Sequence, residues 1–291
     1  MQTEENELYR FVPAADWSES LSDSEIISLL VETDFSREQT DEGRDYCYFL
    51  NKYYKVDDNS TSDYALMAYT LIQPENLERA SMYDMGLEEN ESLNIHRISV
   101  YRNGELLDKT ADTTIKILDN ENQSNRGIIS SSKKLNFSIK DLHLGDILIL
   151  EDCRVKVFTE KEFLRRDFMK YVYVTPDTYW AYGNYHFKLI NNRNKQLAYK
   201  NVFFRDQEGN VLPNEIKYLA QGESFDIVKT NYINPVDPNR EVFPFIDFAT
   251  DSNWKDLSNY IYPLYEGVFN AQLTDFAPDL VAKLDAMPTL D

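Results

Sequence analysis

The chain has 291 residues, 42% of them hydrophobic, enough to fill a sizeable core in one large domain or two smaller ones. Thirty Lys and Arg against 50 Asp and Glu leave a formal charge of −20, which repels phosphate backbones and anionic lipid surfaces and argues against nucleic acid as a partner. Even the longest apolar runs are short, such as Ile147 to Leu150, so no membrane-crossing segment is expected.

The N-terminal MQTEENELYR has neither a basic region nor an apolar leader. A cytoplasmic protein is expected from the chain as given, or a periplasmic or extracellular one if a leader was removed. Twenty Tyr and 16 Phe recur with β-branched neighbours in short runs bounded by Asn, Asp and Gly, which is strand composition. In RDYCYFLNKYYKV, Tyr46, Tyr48, Leu50 and Lys52 alternate on one parity, the pattern of a half-buried strand. Further strands are expected at DYALMAYTLI, NIHRISVYR, TTIKILD, DILILEDCRVKVF, FMKYVYV, YWAYGNYHFKLI, YKNVFFRD and SFDIVKTNYI. Arg102-Asn103-Gly104-Glu105 and Asp206 to Asn210 supply the positive φ that hairpin connections need.

From about residue 251 the period changes. Trp254, Leu257, Ile261, Leu264 and Val268 fall at helical spacing, with Asp251 or Ser252 to cap the first turn and Pro263 to kink or end the helix. A second short helix is expected from Pro278. The expected architecture is mainly β: an antiparallel β-sandwich over residues 1–250, large enough for two stacked sheets or subdomains, followed by a helical segment over 251–291.

Few residues invite chemistry. Cys47 and Cys153 lie in strand patterns, without the helix N-terminus that lowers a thiol pKa, and Glu151 and Asp152 oppose a thiolate at Cys153. They are expected to be structural and not joined to each other. His96 and His186 sit in strands, where a backbone hydrogen bond is the ordinary fate of an imidazole, and His143 sits in a turn. No pair of Cys or His has metal-ligand spacing, so no metal and no cofactor are expected. Carboxylate pairs such as Glu151-Asp152 follow from composition alone. The densest aromatic group, Tyr179, Trp180, Tyr182 and Tyr185, can line a core or form a face that stacks on a glycan or grips a peptide.

Two segments carry a family resemblance. In SLNIHRISVYRNGELLDKTADTTIKIL a strand-turn-strand has Arg102, Asn103 and Gly104 at the turn. In LNFSIKDLHLGDILILEDCRVKVF the turn Asp141-Leu142-His143-Leu144-Gly145-Asp146 precedes a long apolar strand. FVPAADW near the start and FPFIDFATDSNWKDLSNYIYPLY near the end fit the same order. The chain resembles a bacterial family of unknown function found N-terminal to transglutaminase-like domains, with His143 where that family usually has Arg.

The resemblance implies a non-catalytic accessory or recognition module, acting beside a transglutaminase-like, papain-related enzyme domain in cis or in trans. In that reading Gly145 allows a tight turn, Asp146 caps it, and Trp254 anchors the tail against a neighbour. Two alternatives stay open: a carbohydrate- or peptide-binding module using the Tyr179 to Tyr185 group, and a cysteine-dependent hydrolase or transferase.

Overall fold

The computed structural model describes residues 8–33, 45–119, 132–158, 170–173, 180–202, 204, 212–233 and 245–249. The expected helical segment 251–291, including Trp254, and the expected turn over 206–210 lie outside the described residues. The chain is mainly β; the described residues form two short α-helices and three sheets, and no described helix is long and apolar enough to cross a membrane.

The largest sheet is built from β1 (Tyr9–Phe11), β2 (Asp45–Val56), β3 (Ser60–Thr70), β5 (Glu91–Arg102), β6 (Glu105–Asp108), β9 (Ile147–Val157), β11 (Trp180–Asn191) and β14 (Ser224–Ile233). Its spatial order is β1-β5-β9-β3-β2-β11-β14, with β6 folded back on β5. A three-stranded sheet holds β4 (Met82–Leu87), β8 (Lys133–Ile139) and β7 (Thr113–Asp119). A four-stranded sheet runs in the order β10 (Lys170–Tyr173), β15 (Phe245–Ala249), β12 (Leu197–Val202), β13 (Lys217–Leu219).

Strand parity decides how these sheets stack. Along β9, Leu148 and Leu150 face Leu135 and Phe137 of the three-stranded sheet, while Ile147, Ile149 and Cys153 face the other way. Along β2 and β11, Tyr54, Val56, Tyr185, Phe187 and Leu189 face Leu197, Tyr199, Ile246 and Phe248 of the four-stranded sheet. Register places Tyr54 opposite Asp63, and Asp63 opposite Arg154, on the same parity as Leu148. The two smaller sheets therefore sit side by side on one face of the large sheet. A bulge at His96 shifts the parity of β5, so Leu93 and Ile95 before it and Ile98 and Val100 after it all enter the same core.

The opposite face is covered by α1 (Asp23–Glu32), whose buried Ile26 and Leu30 pack on Phe49, Tyr53, Tyr64 and Leu66. Ser22 and Glu25 form a capping box: the Ser22 hydroxyl accepts from the Glu25 N–H, and the Ser22 N–H donates to the Glu25 carboxylate at 2.8 Å. The second helix, α2 (Pro74–Ser81), starts with proline at a first-turn position, where no N–H is needed.

The sandwich character agrees with the sequence reading, but the large sheet is mixed. β1 pairs β5, and β2 pairs β11, in parallel, where antiparallel pairing was expected. A parallel neighbour needs a long crossover, and the chain between β2 and β11 supplies one by building most of the sheet first. Both helices, β1, β4, β8 and β13 were not anticipated.

The hairpin between β5 and β6 turns on Asn103 (φ 52) and Gly104 (φ 88), as their residue types demand. Gly145, at φ 91, leads into β9. A β-carbon there meets no neighbour, so the penalty is conformational. Gly145→Ala is expected to cost about 1 kcal/mol or more in thermal or urea unfolding, and an unchanged midpoint would show that this φ is not required.

Candidate functional site

The two turns singled out from the sequence meet in space. Arg102 grips Asp146 with two parallel bonds, Nε to Oδ1 and Nη2 to Oδ2, both 2.7 Å. Its Nη2 also donates to the Asp141 carbonyl oxygen at 2.8 Å, and Nη1 to the Asp141 carboxylate at 3.3 Å. The same carboxylate accepts from the buried Lys109 ammonium at 3.0 Å and lies 2.9 Å from His143 Nε2. Asp146 caps its own turn by accepting the His143 N–H at 2.7 Å.

Burial works against the Asp146 carboxylate, but Arg102 and the His143 N–H outweigh it and hold its pKa below the usual range. Lys109 first, and Arg102 second, draw Asp141 down to about 2. Arg102 pairs with Asp141 and Asp146, and Lys109 adds a second tie, to Asp112, at 3.2 Å. The cluster ties the β5–β6 hairpin to the turn before β9 and is built for rigidity.

A second polar cluster lies on the α1 face. His186 Nδ1 is 2.9 Å from the Tyr53 hydroxyl, and Nε2 is 2.9 Å from Asp226 Oδ1. Lys188, two residues along β11 and so on the same face, bonds Glu19 at 2.6 Å and lies 5.1 Å over the Tyr53 ring. Lys55 covers Trp17 at 4.9 Å, and Tyr64 donates to the buried Glu151 at 2.8 Å. Glu151 also pairs Arg97, which reaches Asp23 and the Leu21 carbonyl oxygen.

With the imidazole proton on Nε2, Tyr53 donates to His186 and His186 donates to Asp226. Burial, then Glu19 and Asp226, raise the Tyr53 pKa above its ordinary value, so this phenol holds its proton. The cluster fastens the segment around Trp17 and Glu19 to β11 and β14. A backbone partner was expected for His186; two side chains take that place. His96 does bond a backbone group, the Val12 carbonyl oxygen, at 2.8 Å.

Neither thiol is placed for nucleophilic work. Cys47 is buried beside the Phe49 carbonyl oxygen, and burial raises its pKa far above the ordinary range. Burial, reinforced by Asp152 and Asp63, pushes Cys153 up to about 12. Both cysteines are free, and β3 stands between their strands, putting them roughly 10 Å or more apart across the sheet.

Of the two readings of the aromatic group, a binding face or a core, its described part takes the core. Tyr182 and Tyr185 are 4% and 1% exposed, and Tyr185 packs in the core beneath the four-stranded sheet. Their rings meet edge to face at 6.3 Å and are closed to a ligand in solvent. The Trp180 backbone opens β11; its side chain and Tyr179 lie outside the described residues.

Asp152 was passed over as one acidic residue among many. It faces the gap beneath the three-stranded sheet with Tyr83 and Phe137, which stack at 4.6 Å. Burial, then the negative Asp63, push its pKa up to about 7, against the pull of Arg154.

Well below pH 4 this carboxyl is protonated in folded and unfolded chains alike and costs nothing. As pH rises toward 7 the unfolded chain ionises first, so the folded state loses stability across that window. Asp152→Asn is expected to raise the melting temperature at pH 8 and to do much less at pH 4. An equal shift at both pH values would remove Asp152 as the cause.

The model of a family described as a Domain of Unknown Function with solved-structure structure (DUF3857) matches residues 57–217. The chain belongs to the DUF3857 family. The matched span runs from the end of β2 into β13 and takes in both halves of the Arg102–Asp146 clasp. No curated protein matches the chain.

Among solved structures, this DUF3857 chain is similar to the crystal structure of a "putative protease" from Parabacteroides distasonis ATCC 8503. The TM-score is 0.55 and the identity 11%, with 84% of this chain and 47% of that chain covered. At that identity the likeness is one of fold. The DUF3857 chain spans about half the length of the neighbour it matches.

Proposed function

We propose that this DUF3857 chain is a non-catalytic accessory module that packs against a transglutaminase-like, papain-related enzyme domain. The observation that carries the reading is coverage: 84% of the chain overlays 47% of a protein named as a protease. About half of such a molecule is then left for the chemistry. The chain's own thiols are consistent with that division, since both are buried and held as thiols rather than thiolates. The family resemblance supplies the class of enzyme. The burial of Tyr182 and Tyr185 weighs against the alternative of an aromatic glycan- or peptide-binding face.

The test has two arms. The purified chain and its Cys47→Ser/Cys153→Ser variant are assayed for peptide hydrolysis and for amine incorporation into a glutamine donor. Neither is expected to turn over in a thiol-dependent way, and the variant is expected to stay folded. The chain is then mixed with the transglutaminase-like domain encoded in the same or a neighbouring reading frame, and mass is read by light scattering. A stoichiometric complex is expected. Iodoacetamide-sensitive turnover lost in the variant, or no association with that domain, would overturn the proposal.

A further inference from the structure

The face of the large sheet opposite the two smaller sheets is covered by a strap of the chain itself, residues 9–32. β1 pairs with β5 at one end, a 3-10 turn at Asp16–Ser18 follows, and α1 packs over β2 and β3. Burial anchors little of it: within residues 8–33 only Ser18, Ile26 and Leu30 are buried. Charge does much of the fastening. Glu19 bonds Lys188 at 2.6 Å, Asp23 pairs Arg97, and Arg97 also donates to the Leu21 carbonyl oxygen at 3.1 Å. The Glu19 and Asp23 side chains are 54% and 71% exposed, where water and salt weaken an ion pair. Glu19 also sits at φ 50, a conformation disfavoured for a side chain of its size. A segment with few buried apolar contacts and exposed fastenings opens before the sheet beneath it.

Under the strap lies a built groove. Ile26 and Leu30 fill a floor of Phe49, Tyr53, Tyr64 and Leu66, and the cations Arg97 and Lys188 stand beside it. Glu151 at 3.4 Å steadies Arg97, and Asp226 lies 3.5 Å from Lys188.

We propose that this groove is a docking site for an acidic amphipathic helix of a partner protein, and that the strap is its displaceable occupant. The strap shows what such a ligand must carry: one carboxylate ahead of the helix, one in its first turn, then apolar residues four apart. A second copy is the weaker candidate. Its identical strap gains no contact over the tethered one, which acts at far higher effective concentration, and copies of charge −20 repel each other. A partner helix that reaches Lys188 without the backbone cost at Glu19 has the advantage. The inference concerns this chain's own groove and stands apart from the accessory role proposed above.

The probe is a labelled synthetic peptide of residues 8–33, added to the intact chain and to its Glu19→Gln/Asp23→Asn variant, changed only at exposed positions. Hydrogen exchange is expected to show the strap opening ahead of β2, β3 and β9 in the parent, and further ahead in the variant. The peptide is expected to bind the variant about fivefold or more tightly than the parent, because the tethered strap holds the groove less firmly. A peptide carrying Ile26→Asp is expected to bind neither. Strap amides that exchange only together with the sheet, equal binding by parent and variant, no binding to either, or binding that survives Ile26→Asp would each overturn the proposal. A mass of two chains in light scattering would make a second copy the occupant and overturn the choice of partner.

Discussion

Asp146→Ala is expected to destabilise the protein by roughly 3–5 kcal/mol, the usual cost of removing one partner from a buried ion pair. The Asp146 side chain is 2% exposed and answers Arg102 through both oxygens. Its loss takes the two-bond partner from a guanidinium that is only 20% exposed, leaving it Asp141 alone, and leaves the His143 N–H without its acceptor. Urea unfolding measures the effect. Asp146→Asn should recover only part of it, since the amide oxygen still accepts but the charge is gone. A loss below about 1 kcal/mol would reduce the clasp to an ordinary surface pair.

The same carboxylates set an acid limit. Asp141 and Asp146 have folded pKa values below that of an unfolded aspartate, near 3.9. Their stabilisation is complete above that value and is lost as pH falls through the folded values, down to about 2 for Asp141. The Asp146→Ala variant should show a shallower loss of stability below pH 4 than the parent.

Gly183→Ala is the second large effect, expected at about 1–3 kcal/mol or more, as for overpacking in a close-packed interior. A β-carbon at Gly183 would stand 2.6 Å from the Tyr48 carbonyl oxygen and 2.3 Å from Thr33 Cγ2. The threonine can turn, but the carbonyl belongs to the β2 backbone, at the irregular step between Cys47 and Phe49. Thr33 closes α1, with its N–H and hydroxyl both on the Leu29 carbonyl oxygen. The substitution is therefore expected to loosen α1, seen as faster hydrogen exchange there. Adding Thr33→Ser, which removes one of the two clashing atoms, should recover part of the loss. An Ala variant as stable as the parent would mean that β2 and β11 can move apart freely at this step.

What was legible in the sequence follows the range of the physics. Alternation and β-branched composition are properties of a few neighbouring residues, and they located β2, β3, β5, β7, β9, β11 and β14 closely. The turn residues Asn103, Gly104 and Gly145 were legible for the same reason, each adopting the positive φ its type allows. That Arg102 would reach Asp146, 44 positions away, was not legible, because both were seen only as signals of their own turns.

The helix α1 was within reach: Ser22 and Glu25 stand at capping-box spacing before Ile26 and Leu30. His186 and Lys188 at strand spacing mark one face, but their partners Asp226 and Glu19 come from distant segments. The aromatic group stayed open between two readings, because Tyr182 and Tyr185 carry a composition that fits a binding face and a core alike, and their burial is that of a core. Composition does not distinguish the two; only the sheet stacked above them does.

The parallel pairing of β2 with β11 has a temporal consequence. Tyr53 and His186, in adjacent strands, are 133 residues apart along the chain. Hairpins such as β2–β3 and β5–β6 close over short loops, whereas the β2–β11 seam must wait for a very long one, at high entropic cost and with little reward until late. Refolding is therefore expected in two kinetic stages, with the block from β2 to β9 acquiring protection before β11 and β14 join it. In the interval the free edge of β2 stands open to any other strand, so the dwell time of that half-built sheet sets how readily the protein aggregates at high concentration.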